Sequence, residues 1–336
     1  MAVSFAGGLD PPALLLLLAD GRVHSGERLA VELGVSRAAV WKAVRRLRQR
    51  GIGIEAVPRL GYALPAAVEL LDGPRLRSLI ATKHAARLRS LELLFDVDST
   101  NSRLLAAAPP PPGCADVLSS ELQRAGRGRR GRPWIAPFGA SIALSMGWTF
   151  ADAAAAGSTL SLCVGVAVAR ALIRAGAVGI GLKWPNDLWL REGKIGGILL
   201  EMRAEAGGPA HVVIGVGLNV TLAAPLRAQL LAMGVRAAAV ADACAMPPSR
   251  NFIAGAIIDE LLSMLVEYEH AGFAAFREAW AALDVLRDRP AQVLSGECAL
   301  KGIARGVNGR GALLLERDGA LLEYVSGEVS LRGESN

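Results

Sequence analysis

The most informative stretch of this sequence is Gly126-Arg127-Gly128-Arg129-Arg130-Gly131-Arg132, which follows a predicted strand at residues 117–122. Its glycines let backbone N–H groups approach a ligand closely. Its four arginines supply positive charge and paired hydrogen bonds to carboxylate or phosphate oxygens. A surface basic tract that contacts nucleic acid is the alternative. The position between a strand and Pro133-Trp134 favours a mobile loop that binds an anion.

The preceding predicted strand also ends in polar side chains. Residues 91–97 read as a strand that leads into Asp98-Ser99-Thr100-Asn101, and residues 102–108 read as a helix that a proline run terminates. Hydroxyl and amide groups at a strand end can orient a polar small molecule. Asp98 or Ser99 can equally cap the helix that follows, so the residues alone leave both interpretations open.

The strands that follow carry further distinctive residues. Residues 142–149 form a predicted strand and residues 158–174 an apolar helix with Ser158 as its cap. The next strand contains Lys183-Trp184-Pro185-Asn186-Asp187, where the proline leaves an amide and a carboxylate at a turn. A strand over 194–201 starts with Lys194, and a strand over 211–220 contains Gly215-Val216-Gly217-Leu218-Asn219. Each of these elements is weak evidence alone, and their combination carries the interpretation.

The N-terminal fifth of the chain has the pattern of a helix-turn-helix. Asp10 and Pro11 start a leucine-rich helix that Gly21 closes. A second helix begins after Ser25 and ends at Gly34, shortly before Ser36 caps a third. The third helix has one apolar stripe, and residues 36–50 contain six basic residues and no acid. Such a helix suits the major groove of DNA.

A short hairpin follows, with predicted strands at 52–57 and 62–64 around a turn that contains Arg59. Together with the excess of nine basic over five acidic residues in positions 1–65, it predicts a winged helix-turn-helix that binds DNA. A basic helix on a protein-docking module is the alternative. The candidate DNA-binding residues are Ser36, Arg37, Lys42, Arg45, Arg46 and Arg59.

Length and composition set the general class of the protein. The 336 residues are too many for one ordinary core, so we expect two or three domains. A hydrophobic content of 52% excludes a disordered chain. The apolar run at 11–19 is too short to span a membrane and lacks signal-peptide features, so we expect a cytoplasmic protein. The four dispersed cysteines predict neither a disulfide framework nor a zinc cluster.

The C-terminal part is predicted to be a small β domain. Short strands at 291–294, 297–305, 312–317 and 321–324 are split by glycine-containing turns. An amphipathic helix over 253–265 separates them from the central strands.

In combination, these motifs resemble the biotin protein ligases, in particular the bacterial ligases that also repress the biotin operon. The matching segments are Ser99–Asn101, Gln123-Arg124-Ala125 with the loop at 126–132, Lys183–Leu188, the Lys194 strand, Gly215–Asn219 and Gly327–Arg332. The similarity runs from about Leu14 to Arg332, and the loop and Lys183–Leu188 are its most specific parts.

The resemblance implies a multi-domain α+β fold. Residues 1–66 would form the winged helix-turn-helix, and residues 67–284 a mixed α/β domain similar to class II aminoacyl-tRNA synthetases. Residues 285–336 would form a small SH3-like β-barrel.

The resemblance also implies roles for particular side chains. Biotin would be bound by Ser99, Thr100, Asn101, Gln123, Arg127, Gly128, Arg129 and Lys194. ATP would be bound by Arg132, Trp134, Asn186 and Asn219. The catalytic residues would be Arg129, Lys194 and Asp187, and Asp187 would also steer Mg²⁺ or the incoming lysine.

The reaction of this family has two steps. The biotin carboxylate attacks the α-phosphate of ATP and releases pyrophosphate, and one lysine of a biotin carboxyl carrier protein then accepts the biotinyl group. The implied ligands are biotin, ATP and Mg²⁺, and the implied partners are the carrier, operator DNA and a second copy of the chain when the adenylate is bound. Three alternatives stay open: a lipoate protein ligase, a biotin sensor without catalysis, and a ligase whose head binds no operator.

Overall fold

A computed structural model describes residues 11–153, 156–204, 208–246, 248–295 and 298–331. The sequence predictions that concern Asp10, Glu297 and Arg332 lie outside these residues. Two compact units are present: the chain up to Leu71 together with Pro137–Ala140, and Asp72–Ala136 together with the chain from Ser141 onward. The predicted boundaries after residues 66 and 284 stay predictions.

The first unit contains three helices and a hairpin. Its elements are α1 Pro11–Leu18, α2 Gly26–Glu32, α3 Arg37–Gln49, β1 Glu55–Val57 and β2 Gly61–Ala63. The Oγ atoms of Ser25 and Ser36 accept hydrogen bonds from backbone N–H groups three residues on, so both serines cap their helices as predicted. Glycine is required at Gly61, because a Cβ there would lie 1.9 Å from the carbonyl oxygen of His24.

The second unit is built on a seven-stranded sheet. Its strands are β3 Leu88–Val97, β4 Ala115–Gln123, β5 Ser141–Phe150, β6 Ile180–Lys183, β7 Asp187–Leu190, β8 Gly193–Ala204 and β9 Ala210–Asn219. Their order is β3-β4-β5-β9-β8-β7-β6. The β3–β4 pair is parallel and the other pairs are antiparallel. The interior strand β5 is buried along its whole length, so it lies in the core of this unit.

Helices cover both faces of this sheet. They are α4 Gly73–Ser78, α5 Thr82–Ala85, α6 Thr100–Ala106, α7 Leu160–Arg174, α8 Ala224–Ala232, α9 Arg250–Ala271 and α10 Arg277–Leu283. Trp148 of β5 donates to Glu269 of α9, whereas Ser145, on the opposite side of the same strand, donates to residues of α6. The prediction that Ser158 caps α7 is wrong, because the helix begins at Leu160 and Thr159 occupies the cap position.

The C-terminal part is a five-stranded antiparallel sheet with the order β13-β12-β11-β10-β14. Its strands are β10 Pro290–Ser295, β11 Cys298–Val307, β12 Leu313–Arg317, β13 Ala320–Tyr324 and β14 Glu328–Leu331. The small antiparallel domain predicted from the turn pattern is therefore present. Across the described residues, no helix is both long and apolar enough to cross a membrane.

Candidate active site

The glycine-arginine loop forms a narrow hairpin. The backbone N–H of Gly128 donates to the carbonyl of Arg132 at 2.7 Å, and that of Trp134 donates to the carbonyl of Gly126 at 2.8 Å. At the tip, Arg130 has a φ of 56° and Gly131 a φ of 72°, which make the sharp reversal. The hairpin thus presents its arginines from a short, hydrogen-bonded base.

The start of α6 and the end of β4 form one wall of the site. The backbone N–H and Oγ1 of Thr100 donate to Gln123 Oε1 at 2.9 and 3.1 Å. Ser145 Oγ donates to Thr100 Oγ1 at 2.7 Å. These bonds fix the orientation of the Gln123 amide, because its oxygen accepts them and its Nε2 is thereby turned toward Gly126, where a Cβ would lie 3.2 Å from it.

Two of the predicted biotin-binding residues have clear structural roles. Ser99 caps α6, since its Oγ accepts from the N–H of Ser102 at 3.4 Å. Asn101 is buried and donates to Glu201 Oε2 at 2.9 Å. A Cβ on Gly215 would lie 2.3 Å from Asn101 Oδ1, so the Gly215–Asn219 segment needs glycine to let α6 pack against β9. Of the two interpretations of Ser99, capping is the one that the structure shows.

Glu201 is a site residue that sequence reasoning missed. Arg127 Nη2 donates to Glu201 Oε1 at 3.1 Å and to Ser102 Oγ at 2.8 Å. Glu201 therefore anchors both the base of the arginine hairpin and the Asn101 amide. The signal was present, because Glu201 is the only acid in β8, directly after a run of apolar residues.

The β6–β7 turn and the first residue of β7 contact the hairpin and β8. Arg129 Nη1 donates to Asn186 Oδ1 at 3.3 Å, and Lys194 Nζ donates to Asp187 Oδ1 at 2.6 Å. Asn186 Nδ2 in turn donates to the carbonyl of Ile198 at 2.7 Å. The predicted catalytic residues Arg129, Lys194 and Asp187 thus lie around one turn.

The predicted nucleotide-binding residues differ in their burial and in whether the protein already uses their hydrogen-bonding atoms. A Cβ on Gly217 would lie 2.6 Å from the Trp134 ring, so this ring lies directly on the β9 backbone. Trp134 Nε1 is buried and has no hydrogen-bond partner among the described residues. Asn219 Nδ2 already donates to the carbonyl of Ala238 at 3.2 Å, while Arg132 is exposed. Binding by these residues stays a prediction.

Other reactive groups do not join this site. Among the described residues, no group of three or more His, Cys, Asp or Glu side chains comes together to hold a metal ion. Mg²⁺ bound with a nucleotide needs only one or two protein carboxylates beside the phosphates, so its binding at this site stays a prediction. Burial raises the pKa of the Cys163 thiol to about 12, so this cysteine offers no thiolate at neutral pH.

The helix-turn-helix presents an exposed cationic surface. Lys42, Arg45, Arg46 and Arg59 are exposed. Arg45 lies 5.6 Å from the centre of the exposed Trp41 ring. Of the other two predicted contacts, Arg37 pairs with Glu27 at 2.9 Å and the Ser36 hydroxyl is used by the helix cap.

Comparison with known families defines the class of protein. Residues 109–219 match the biotin/lipoate A/B protein ligase family, residues 13–63 match an HTH domain, and residues 291–332 match the biotin protein ligase C-terminal domain. The predicted order of a helix-turn-helix head, a ligase domain and a C-terminal β domain is thereby confirmed.

Relatives of known activity identify the family. The chain is 38% identical to the bifunctional ligase/repressor BirA of Salmonella typhimurium over 96% of this chain and 97% of the relative. It is 36% identical to a biotin–acetyl-CoA-carboxylase ligase of Mycobacterium tuberculosis over 72% of this chain and 88% of the relative. The chain belongs to the biotin protein ligase family.

A solved structure agrees with this fold. The biotin protein ligase of Aquifex aeolicus in complex with biotin and ATP superposes with a TM-score of 0.61 at 24% identity, covering 73% of this chain and 99% of that chain. At this identity the similarity concerns the fold alone.

Proposed function

We propose that this chain is a biotin protein ligase that forms biotinyl-5′-AMP from biotin and ATP and transfers biotin to a lysine of a biotin carboxyl carrier protein. The observation that carries the proposal is the contact between the arginine hairpin and the β6–β7 turn, through Arg129 and Asn186. The contact brings Arg129 to the residue before Asp187, which pairs with Lys194, in a chain of the ligase family.

The first step brings a carboxylate toward a polyanion, so fixed positive charge and alignment lower its barrier. Thr100, Gln123 and Gly128 hold biotin, while Arg129 and Lys194 face its carboxylate oxygens and the α-phosphate. The carboxylate oxygen bonds to the α-phosphorus, the bond to the β-phosphate oxygen breaks, and pyrophosphate leaves. Asp187 would hold Mg²⁺, which supplies charge neutralisation to the phosphates.

In the second step, the lysine amine of the carrier attacks the acyl carbon and AMP leaves. Asp187, whose Oδ1 accepts from Lys194 Nζ at 2.6 Å, would orient the incoming lysine and accept the proton that its amine loses on attack. Trp134, Asn186, Asn219 and Arg132 bind the nucleotide side.

Incubation of the protein with biotin, ATP and Mg²⁺, followed by detection of biotinyl-AMP, tests the ligase. Formation of the adenylate and its transfer to a purified carrier are the expected results. Lipoate supplied in place of biotin should give no product, and preferential lipoyl-AMP formation would establish the lipoate ligase instead. Biotin binding with no adenylate would establish the sensor without catalysis.

The helix-turn-helix favours a second function, repression of biotin synthesis genes. The exposed cationic residues of α3 and the β1–β2 turn support operator binding, and the related ligase/repressors carry this combination in their names. We expect both activities in the cytoplasm. A mobility-shift assay with biotin-operator DNA and adenylate tests this function, and absence of a specific shift would leave a ligase whose head binds no operator.

A further inference from the structure

We propose that Trp184 is a positioning residue through which the C-terminal sheet fixes the catalytic β6–β7 turn. This inference rests on the proposed ligase function. Trp184 is the first residue of that turn, its side chain is 3% exposed, and its Nε1 donates to the carbonyl of Gly311 at 3.0 Å. Gly311 lies between β11 and β12, so this hydrogen bond joins the ligase sheet to the C-terminal sheet.

The acceptor of this hydrogen bond is held rigidly. Asn308 Oδ1 accepts from the N–H groups of Arg310 and Ala312 at 2.9 and 3.0 Å, and the Gly311 N–H donates to the Asn308 carbonyl at 3.0 Å. Gly311 has a φ of +76°, and a Cβ there would lie 2.8 Å from Thr159 Cγ2. The β11–β12 turn is thus preset in shape and packed against the start of α7.

Other contacts around Trp184 strengthen the junction. The backbone just before β14 passes close to the ring, because a Cβ on Gly327 would lie 3.9 Å from Trp184 Cζ3. The N–H of Val285, in the link to the C-terminal sheet, donates to the carbonyl of Leu182 in β6 at 3.0 Å. The chain before and at the turn is therefore held from the C-terminal side, while Ser161 Oγ of α7 donates to the Pro185 carbonyl at 3.3 Å.

The reacting groups follow within three residues of this anchor. Asn186 accepts from Arg129, and Asp187 accepts from Lys194. A shift of the turn would move both acceptors together, and small displacements of aligned groups are costly in rate. The C-terminal sheet, which contributes none of the predicted ligand-binding residues, therefore acts on the reaction by fixing the place of Asn186 and Asp187.

Trp184→Phe tests the role of the hydrogen bond, because it keeps a buried aromatic ring but removes the indole N–H together with part of the ring volume. The matched control is Trp148→Phe, which removes a hydrogen bond of the same 3.0 Å length from a fully buried tryptophan of β5 to the carboxylate of Glu269. The loss of ring volume is the same in the control, so the comparison isolates the Trp184–Gly311 hydrogen bond. We expect both variants to lower the melting temperature, and Trp148→Phe at least as much as Trp184→Phe, because a hydrogen bond to a charged acceptor contributes more. Only Trp184→Phe should lower kcat for biotinyl-AMP formation, by about tenfold, with the Kd for biotin changed less than about twofold.

A second pair of variants keeps the test decisive if either tryptophan variant folds poorly. Gly311→Ala introduces a Cβ against Thr159, whereas Gly319→Ala introduces one at nearly the same φ, +77°, with nothing within 4 Å. The first should reproduce the kcat loss of Trp184→Phe and the second should not. The positioning role would be overturned if each variant and its control lost kcat equally, or if Trp184→Phe lost no kcat. Absence of adenylate formation in the unmodified protein would instead refute the ligase function itself.

Discussion

Arg127 and Lys194 are each paired with a carboxylate of the protein itself. Glu201 holds the first and Asp187 the second. Such pairs restrict long, flexible side chains, so less conformational entropy is lost when a ligand engages them. They also mean that an incoming biotin carboxylate shares these cations with protein carboxylates.

Lys194→Ala should weaken biotin binding about 10- to 100-fold, the range expected for loss of a hydrogen bond to a charged group. The variant removes a cation and also leaves Asp187 as an unbalanced negative charge near the biotin carboxylate. Titration calorimetry of biotin with the full chain measures the effect. Lys301→Ala, at an exposed position of β11, is the control.

A double variant separates the effects of Lys194 and Asp187 on biotin binding. If Asp187 repels biotin once Lys194 is gone, Lys194→Ala combined with Asp187→Asn should bind biotin more tightly than Lys194→Ala alone. Unaltered biotin affinity in Lys194→Ala would remove Lys194 from the biotin site.

The buried carboxyl group of Asp284, outside the reaction site, should make the free energy of unfolding depend on pH. Burial raises the pKa of its carboxyl from 3.8 to about 6, and Oδ2 has no hydrogen-bond partner among the described residues. A raised folded-state pKa means that the folded protein binds this proton more tightly than the unfolded chain does. Stability therefore falls as pH rises from about 4 to about 6, and ionised Asp284 stays destabilising above that range.

Asp284→Asn should accordingly raise the free energy of unfolding at pH 8 by about 1 to 3 kcal/mol, and much less at pH 4. The asparagine keeps an oxygen to accept the Leu286 N–H, as Asp284 Oδ1 does at 2.9 Å. Denaturant unfolding at both pH values gives the comparison. Asp318→Asn is the control at an exposed, left-handed position. A stabilisation independent of pH would exclude ionisation as its cause.

At the scale of elements, the sequence predicts best where a local rule determines the structure. Ser25 and Ser36 were identified as caps because capping depends on atoms three residues away. The sequence predicts that α6 starts at Ser102, whereas the helix begins two residues earlier, at Thr100. Thr100 and Asn101 are fixed in its first turn by contacts to Gln123, Ser145 and Glu201. Such long-range partners cannot be deduced from spacing, and the same holds for the Trp184–Gly311 bond.

The arginine hairpin is the element whose closure should retain the adenylate. Arg129→Gly removes the hydrogen bond to Asn186 and one positive charge, so the dissociation rate of biotinyl-AMP should rise about tenfold. Release of labelled adenylate after dilution measures this rate. Biotinylation of bystander lysines on an unrelated protein should increase with it.

Arg130→Gly is the matched control for this prediction. It removes the same charge from the tip of the same hairpin, at a φ of 56° that glycine adopts without strain. A smaller increase than in Arg129→Gly would assign retention to the Asn186 contact. An unchanged dissociation rate in Arg129→Gly would contradict closure of the hairpin over the adenylate.

At the scale of the whole molecule, the ligase sheet and the C-terminal sheet belong to one compact unit and the helix-turn-helix to another. The segment Pro137–Ala140, which follows the arginine hairpin by only a few residues, groups with the helix-turn-helix unit. Within that unit, a Cβ on Gly139 would lie 2.3 Å from Val68 Cγ1, so the segment packs tightly there. The hairpin is therefore linked along the chain to the unit that carries the DNA-binding residues.

We predict that the chain forms a dimer in a ligand-dependent manner. We expect adenylate binding to order the hairpin and to promote association of two copies, so that two helix-turn-helix units meet a two-fold operator. Once one unit is bound, binding of the second becomes effectively intramolecular. Sedimentation should show a larger dimer fraction with biotin plus ATP than with either alone, and operator affinity should rise in parallel. Because Lys194→Ala is expected to bind biotin more weakly, it should need a higher biotin concentration for dimerisation and for operator binding. Equal association with and without the two substrates would show that the adenylate does not control dimerisation.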